Sequence, residues 1–184
     1  MSQIALAASR QQRMLGIFAL PVASILFTLG FACAAPLAAF AAIAAMSFSR
    51  RDALVVTGGV WLANQLWGFG VLDYPTDAST FAWGGALGVI ALLSCEAAGF
   101  SARRFSGVVG AGAAFLAAFV AYQGLLVAVD LAVGLPCEAF APAIVARIFL
   151  INACAFGGLW ALKTVLANTV IGRSQLAALA PRHV

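Results

Sequence analysis

Residues 50–75, RRDALVVTGGVWLANQLWGFGVLDYP, carry the pattern that decides the fold. Two arginines open the stretch, residues 53–72 are uncharged and mostly apolar, and Asp73 with Pro75 closes it. A helix needs about 20 such residues to cross the roughly 30 Å hydrocarbon core of a bilayer. Basic charge at one end and acidic charge at the other also give the crossing a direction, because cytoplasmic loops retain Lys and Arg.

The rest of the chain repeats this polarity. About six hydrophobic stretches can be drawn, and the turns between them alternate. Arg10 and Arg13, Arg50 and Arg51, Arg103 and Arg104, and Arg173 and Arg182 mark one side; Asp73, Asp77 and Glu138, with no Lys or Arg among them, mark the other. The expected fold is therefore an all-α integral membrane protein. It is a compact bundle of six transmembrane helices with both termini cytoplasmic, multi-pass in a bacterial inner membrane. Composition agrees: 64% of residues are hydrophobic and 9% charged, against about 25% charged in an ordinary soluble domain. Mean hydropathy is +1.05. One water-exposed fold of 184 residues could not hide so much apolar surface, whereas lipid covers it and helices satisfy their own backbone groups. The net charge of +4 comes from the arginine-bearing turns, so it reads as an orientation signal and no nucleic-acid partner is expected.

The expected organisation is a cytoplasmic lead (1–13), a transmembrane domain (14–171) and a cytoplasmic tail (172–184), surface-bound or disordered. The spans fall at about 14–32, 34–48, 52–71, 80–100, 107–133 and 142–170. The second is short for a full crossing; Pro36 suits its first turn, where a missing N–H costs nothing, and a tight outer turn around Cys33 precedes it. Asp77 or Ser79 is placed to cap the fourth span. No removable signal peptide is expected, since the first apolar run continues past Ala35 without a polar segment. Small residues crowd the spans, as in Ala34, Ala38, Ala42 and Ala45, so the helices are expected to pack by close backbone approach.

What the chain lacks narrows its chemistry. The single histidine is His183, so paired-histidine haem ligation, a histidine-based zinc site and a Ser-His protease all miss an essential residue. No GxxxxGK[ST] loop occurs, so the chain does not hydrolyse ATP itself. Acids are few and scattered. An enzyme is not expected, nor a resident cofactor or metal. Cys33, Cys95, Cys137 and Cys154 read as small buried hydrophobes; a Cys33–Cys137 disulfide at the outer face and a thiolate ligand to a metal in the substrate stay open as alternatives.

A polar and aromatic group gathers toward the outer half of the bundle: Trp61, Asn64, Gln65, Trp67, Phe69, Asp73, Tyr74 and Trp83, with Asp77 and Phe81. Trp61 and Asn64 are three residues apart on one helical face. Aromatic walls with a few fixed amides hold a flat or amphipathic small molecule; interfacial anchoring by Tyr74 and Trp83 and helix-to-helix bonding by Asn64 and Gln65 are the competing explanations. Arg147 is the intramembrane cation of the sixth span. It is expected to pair with Asp130, Asp73 or Asp77, or to meet an anionic group of a substrate. Lys163 and Glu96 are expected to pair with each other or to reach the headgroups.

The stretch Val60-Trp61-Leu62-Ala63-Asn64-Gln65, then Gly68-Phe69-Gly70, Tyr74-Pro75 and Phe81-Ala82-Trp83-Gly84, resembles the solitary cobalamin-transporting branch, the BtuM family, of the substrate-binding S-components of energy-coupling-factor vitamin transporters. Six spans, a short second helix and no ATP site extend the likeness to the general architecture. The resemblance implies an outward-opening vitamin pocket, movement of substrate by reorientation of the bundle, and coupling in some systems to a membrane scaffold and ATPases. Some members ligate the corrinoid cobalt through a cysteine; no cysteine here aligns with that position, and the turn around Cys33 is shorter than the gating loop of many S-components. The expected partners are thus lipid and a small-molecule substrate, cobalamin favoured. The alternatives are a non-catalytic assembly subunit of a larger membrane complex, or a small ion or metabolite channel or exporter.

Overall fold

A computed structural model describes Leu20, Val22 and Ser24, residues 35–134 and residues 140–179, with side chains described as far as Val165. Among the described residues the chain is all helix and contains no strand: α1 (Leu37–Ser47), α2 (Arg50–Val71), α3 (Ala78–Ala102), α4 (Gly107–Val133) and α5 (Pro142–Leu179). Four of these, α2 to α5, are long and apolar enough to cross a membrane. The expected first span lies outside the described residues apart from Leu20, Val22 and Ser24. Arg50 and Arg51 open α2 just after the bend at Phe48–Ser49, Arg103 and Arg104 lie in the bend at residues 103–106, and the turn from Leu72 to Asp77 carries Asp73 and Asp77. These define an arginine-bearing end and an acidic end.

Helix α1 is the axis. Its 11 residues span only about 16 Å, yet it touches α2, α3, α4 and α5. Every residue from Leu37 to Ala44 is buried, the alanines at 0 to 1% exposure. Sequence explains this directly: a helix of Ala with single Leu, Phe and Ile residues is thin enough for four neighbours to close around it. Large side chains point the other way. Leu62 and Leu66 of α2, Val89 and Leu93 of α3, Leu116 and Val120 of α4, and Leu150 and Leu162 of α5 are all exposed. An alanine-rich axis with bulky apolar side chains exposed on the outer faces is the distribution expected where lipid, not water, meets the surface.

Helix α5 meets backbone polar groups at both ends of α1, at the enclosed N-terminal turn and at the more open C-terminal one. The Asn152 carboxamide accepts the Ala39 N–H at 3.1 Å while its own Nδ2 donates to Ile148 O at 3.0 Å. This supplies the side-chain cap that Pro36, at the N-cap position, does not provide. At the other end Lys163 Nζ donates to Met46 O at 3.1 Å, a cation on a helix C-terminal carbonyl. Lys163 therefore does not pair with Glu96, whose carboxylate instead accepts Arg50 Nε at 2.8 and 3.1 Å. The α4–α5 seam is filled by rings: Phe115 stacks on Phe156 at 4.9 Å, and Phe119 meets Phe149 edge-on at 5.0 Å. Such pairs add about 0.5–1.5 kcal/mol each beyond their burial.

The remaining boundaries follow local signals. Ser49 accepts from Asp52 N at the start of α2, and Gly134, in the left-handed conformation at φ 75°, ends α4. Helix α5 runs on to Leu179 through much of the expected tail. Residues 173–179, RSQLAAL, contain no breaker, and Pro181 is the next one. Replacing Asn152 with Leu should lower stability by about 1 kcal/mol, the worth of one interhelical bond plus an orphaned N–H. Unfolding in detergent measures it, with the exposed Cys154→Ser expected to stay within about 0.5 kcal/mol of the parent.

Candidate functional site

The sequence-selected residues divide into two layers of the α2–α3 hairpin. In the deeper layer Trp61 and Gln65, one turn apart on α2, lie over Gly88 and Gly84, one turn apart on α3. Trp61 Nε1 donates to Gly84 O at 2.8 Å. A β-carbon on Gly88 would stand 2.8 Å from Trp61 Cε2, and one on Gly84 would stand 2.6 Å from Gln65 Oε1. The glycines are thus the groove into which the indole and the amide fit. Asn64 Nδ2 donates to Ser24 Oγ at 3.1 Å and to Val60 O at 2.9 Å, tying α2 to the first apolar stretch. All three side chains of this layer hold helices together.

The second layer closes the acidic end. Helix α2 finishes with Asp73 in the left-handed region at φ 51°, a conformation that Asp tolerates better than most residues. Leu72 N–H reaches Trp67 O at 3.2 Å and Tyr74 N–H reaches Gly68 O at 3.1 Å. This backward turn lays the Tyr74 ring on Gly68, where a β-carbon would lie 2.5 Å from it. Phe69 then stands edge-on to Tyr74 at 6.0 Å and stacks on Phe81 at 4.9 Å with 20° between the planes. Tyr74 and Phe81 are exposed, and Trp67 and Trp83 are half-buried. Among the described residues the Trp67 indole N–H is buried without a hydrogen-bond partner.

Arg147 is exposed and stands apart from this group. Among the described residues it forms no ion pair with any of its three expected partners. Asp130 is 6% exposed and its Oδ2 has no hydrogen-bond partner among the described residues; Asp73 is exposed; Asp77 is occupied elsewhere. Cys33 and Cys137 lie outside the described residues, Cys95 is buried and Cys154 is exposed. Among the described residues no three His, Cys, Asp or Glu side chains converge as a metal site would require.

Asp77 caps α3, accepting from Thr80 N at 2.8 Å and from the Thr80 hydroxyl at 3.2 Å. The Thr80 backbone bond holds its carboxyl below the ordinary value of 3.8. A depressed folded-state pKa contributes stability above the unfolded value and loses it as pH falls through the folded one. Asp77→Ala should therefore lower the thermal midpoint at pH 7, with the gap to the parent narrowing only below about pH 4. Gly88→Ala should cost about 1–3 kcal/mol by displacing Trp61, while Gly85→Ala, with open space beside it, should stay within about 0.5 kcal/mol; unfolding curves and tryptophan emission read both.

No family model matches the chain, and neither a curated protein nor a solved structure matches it.

Proposed function

We propose that this chain is an uptake protein of a bacterial inner membrane, receiving a vitamin-sized molecule at its acidic end and carrying it inward. The aromatic layer of Phe69, Tyr74 and Phe81 at the acidic end carries the reading, together with the Trp67 indole N–H on the same helix, which has no hydrogen-bond partner among the described residues. Flat ring faces and an unmet donor are the elements that hold and orient a planar amphipathic ligand. A corrinoid, cobalamin included, is the favoured substrate, on the sequence likeness of residues 60–84 to solitary S-component-like cobalamin transporters. Asp73 would meet its polar periphery at the same end, and four apolar helices give the bundle the bilayer to work in. A membrane scaffold with ATPases is the corresponding energising partner.

One observation favours a second reading, a non-catalytic subunit of a larger membrane complex. Trp61, Asn64 and Gln65 are committed to helix packing, which leaves less of the polar cluster for a ligand. Purification with a stoichiometric membrane partner and no bound ligand would favour that reading.

Titration of the purified protein with a panel of vitamins, cobalamin and cobinamide among them, is expected to show saturable binding and a raised thermal midpoint. Trp67→Ala and Phe81→Ala should each weaken it about five-fold or more, the loss of one buried aromatic contact of about 1 kcal/mol. No saturable binding across the panel would retire the uptake reading.

A further inference from the structure

At the arginine-bearing end, away from the aromatic layer, α1, α2 and α3 surround a half-open cavity of about 350 Å³. Ala45, Met46, Phe48 and Leu54 form its apolar side, and Arg50, Glu96 and Arg103 its polar rim. Arg50 is engaged by Glu96 through Nε, and among the described residues the two terminal amino groups of its fork have no hydrogen-bond partner. Arg103 has no ion-pair partner among the described residues. Its guanidinium folds over Gly99, where a β-carbon would stand 3.4 Å from Nη1. Two cations against one carboxylate leave the rim net positive.

The cavity also sits at the level expected of a membrane interface. Helices α1 and α3 end there and α2 begins there. Phe100 and Phe105 are exposed at that level, and Arg104 lies over the Phe100 ring at 5.0 Å. Exposed rings beside arginines mark the depth of the headgroups. A soluble anion would have no use for the apolar wall, while an acyl chain alone would have no use for the rim. The volume lies at the low end of the roughly 300–1,000 Å³ typical of small-molecule sites, which suits a phosphate with its glycerol better than a vitamin-sized ligand.

We propose that this cavity is a binding site for the headgroup of an anionic phospholipid. The phosphate bridges Arg50 and Arg103, Glu96 positions the Arg50 fork and accepts a headgroup hydroxyl, and the chain roots lie on Met46, Phe48 and Leu54. Guanidinium forks match phosphate oxygens in geometry as well as charge.

The full chain, delipidated in detergent, is mixed with dioleoyl phosphatidylglycerol or dioleoyl phosphatidylcholine and read by native mass spectrometry and thermal midpoint. The glycerol lipid should be retained about five-fold more than the choline lipid, with Arg103→Gln abolishing the preference and Arg104→Gln preserving it. Gly99→Val, which keeps every charge but pushes the Arg103 guanidinium aside, should also lose it if Arg103→Gln fails to fold. Equal retention of the two lipids would overturn the proposal. So would an equal loss in Arg104→Gln, which marks diffuse attraction, or tight binding of soluble glycerol phosphate, which marks a free-anion site.

Discussion

Close backbone approach around α1 is the constraint on which the other helices depend. Lipid tails are as apolar as leucine, so burying large side chains between membrane helices gains little over leaving them in lipid. What remains is dispersion and hydrogen bonding, both of which fall off steeply with distance. Alanine resolves this by bringing main chains together, and it loses no side-chain freedom on burial. Its cost is that the N-terminal turn of a helix wrapped so tightly is closed in by its neighbours. Asn152 and Lys163, eleven residues apart on α5 and so about 16 Å along it, meet backbone groups at the two ends of α1.

The α2–α3 hairpin applies the same logic with larger partners. Glycines 84 and 88 open a groove on α3, and the indole of Trp61 and the amide of Gln65 fill it, with the Gly84 carbonyl satisfying the Trp61 N–H. The aromatic residues of the hairpin therefore do different work according to depth. Trp61 is a packing element with its polar atom satisfied. Phe69, Tyr74 and Phe81 form a layer at the acidic end that meets its surroundings, and Trp67 of the same helix has an indole N–H without a partner among the described residues. Function is best sought where side chains are not yet spoken for.

The four long spans were legible in the sequence because their signals are local: apolar length, paired arginines, and caps such as Asp77, whose carboxylate sits as its position three residues before Thr80 suggests. The fifth span, at 107–133, coincides with α4. The candidate cluster was legible as composition, since Trp, Asn and Gln are conspicuous in an apolar run. Its division into packing and surface layers was not, because that depends on which α3 residues lie opposite. Asn152 and the Arg50–Glu96 pair were missed for the same reason: their partners are 113 and 46 residues away, and helix periodicity carries no information about such distances. Lys163 looked like a partner for Glu96 by charge alone, but its neighbour is a helix terminus, which has no letter in the sequence.

The alanine axis has a mechanical consequence. An alanine has no rotamer to change, so the centre of this molecule cannot loosen by repacking side chains. Any large movement has to slide or tilt whole helices as stiff rods, with α1 and α5 travelling as one body because they are fastened at two points. Compliance is left to the periphery, where rings and long side chains can pivot, and a crevice would open from the rim inward.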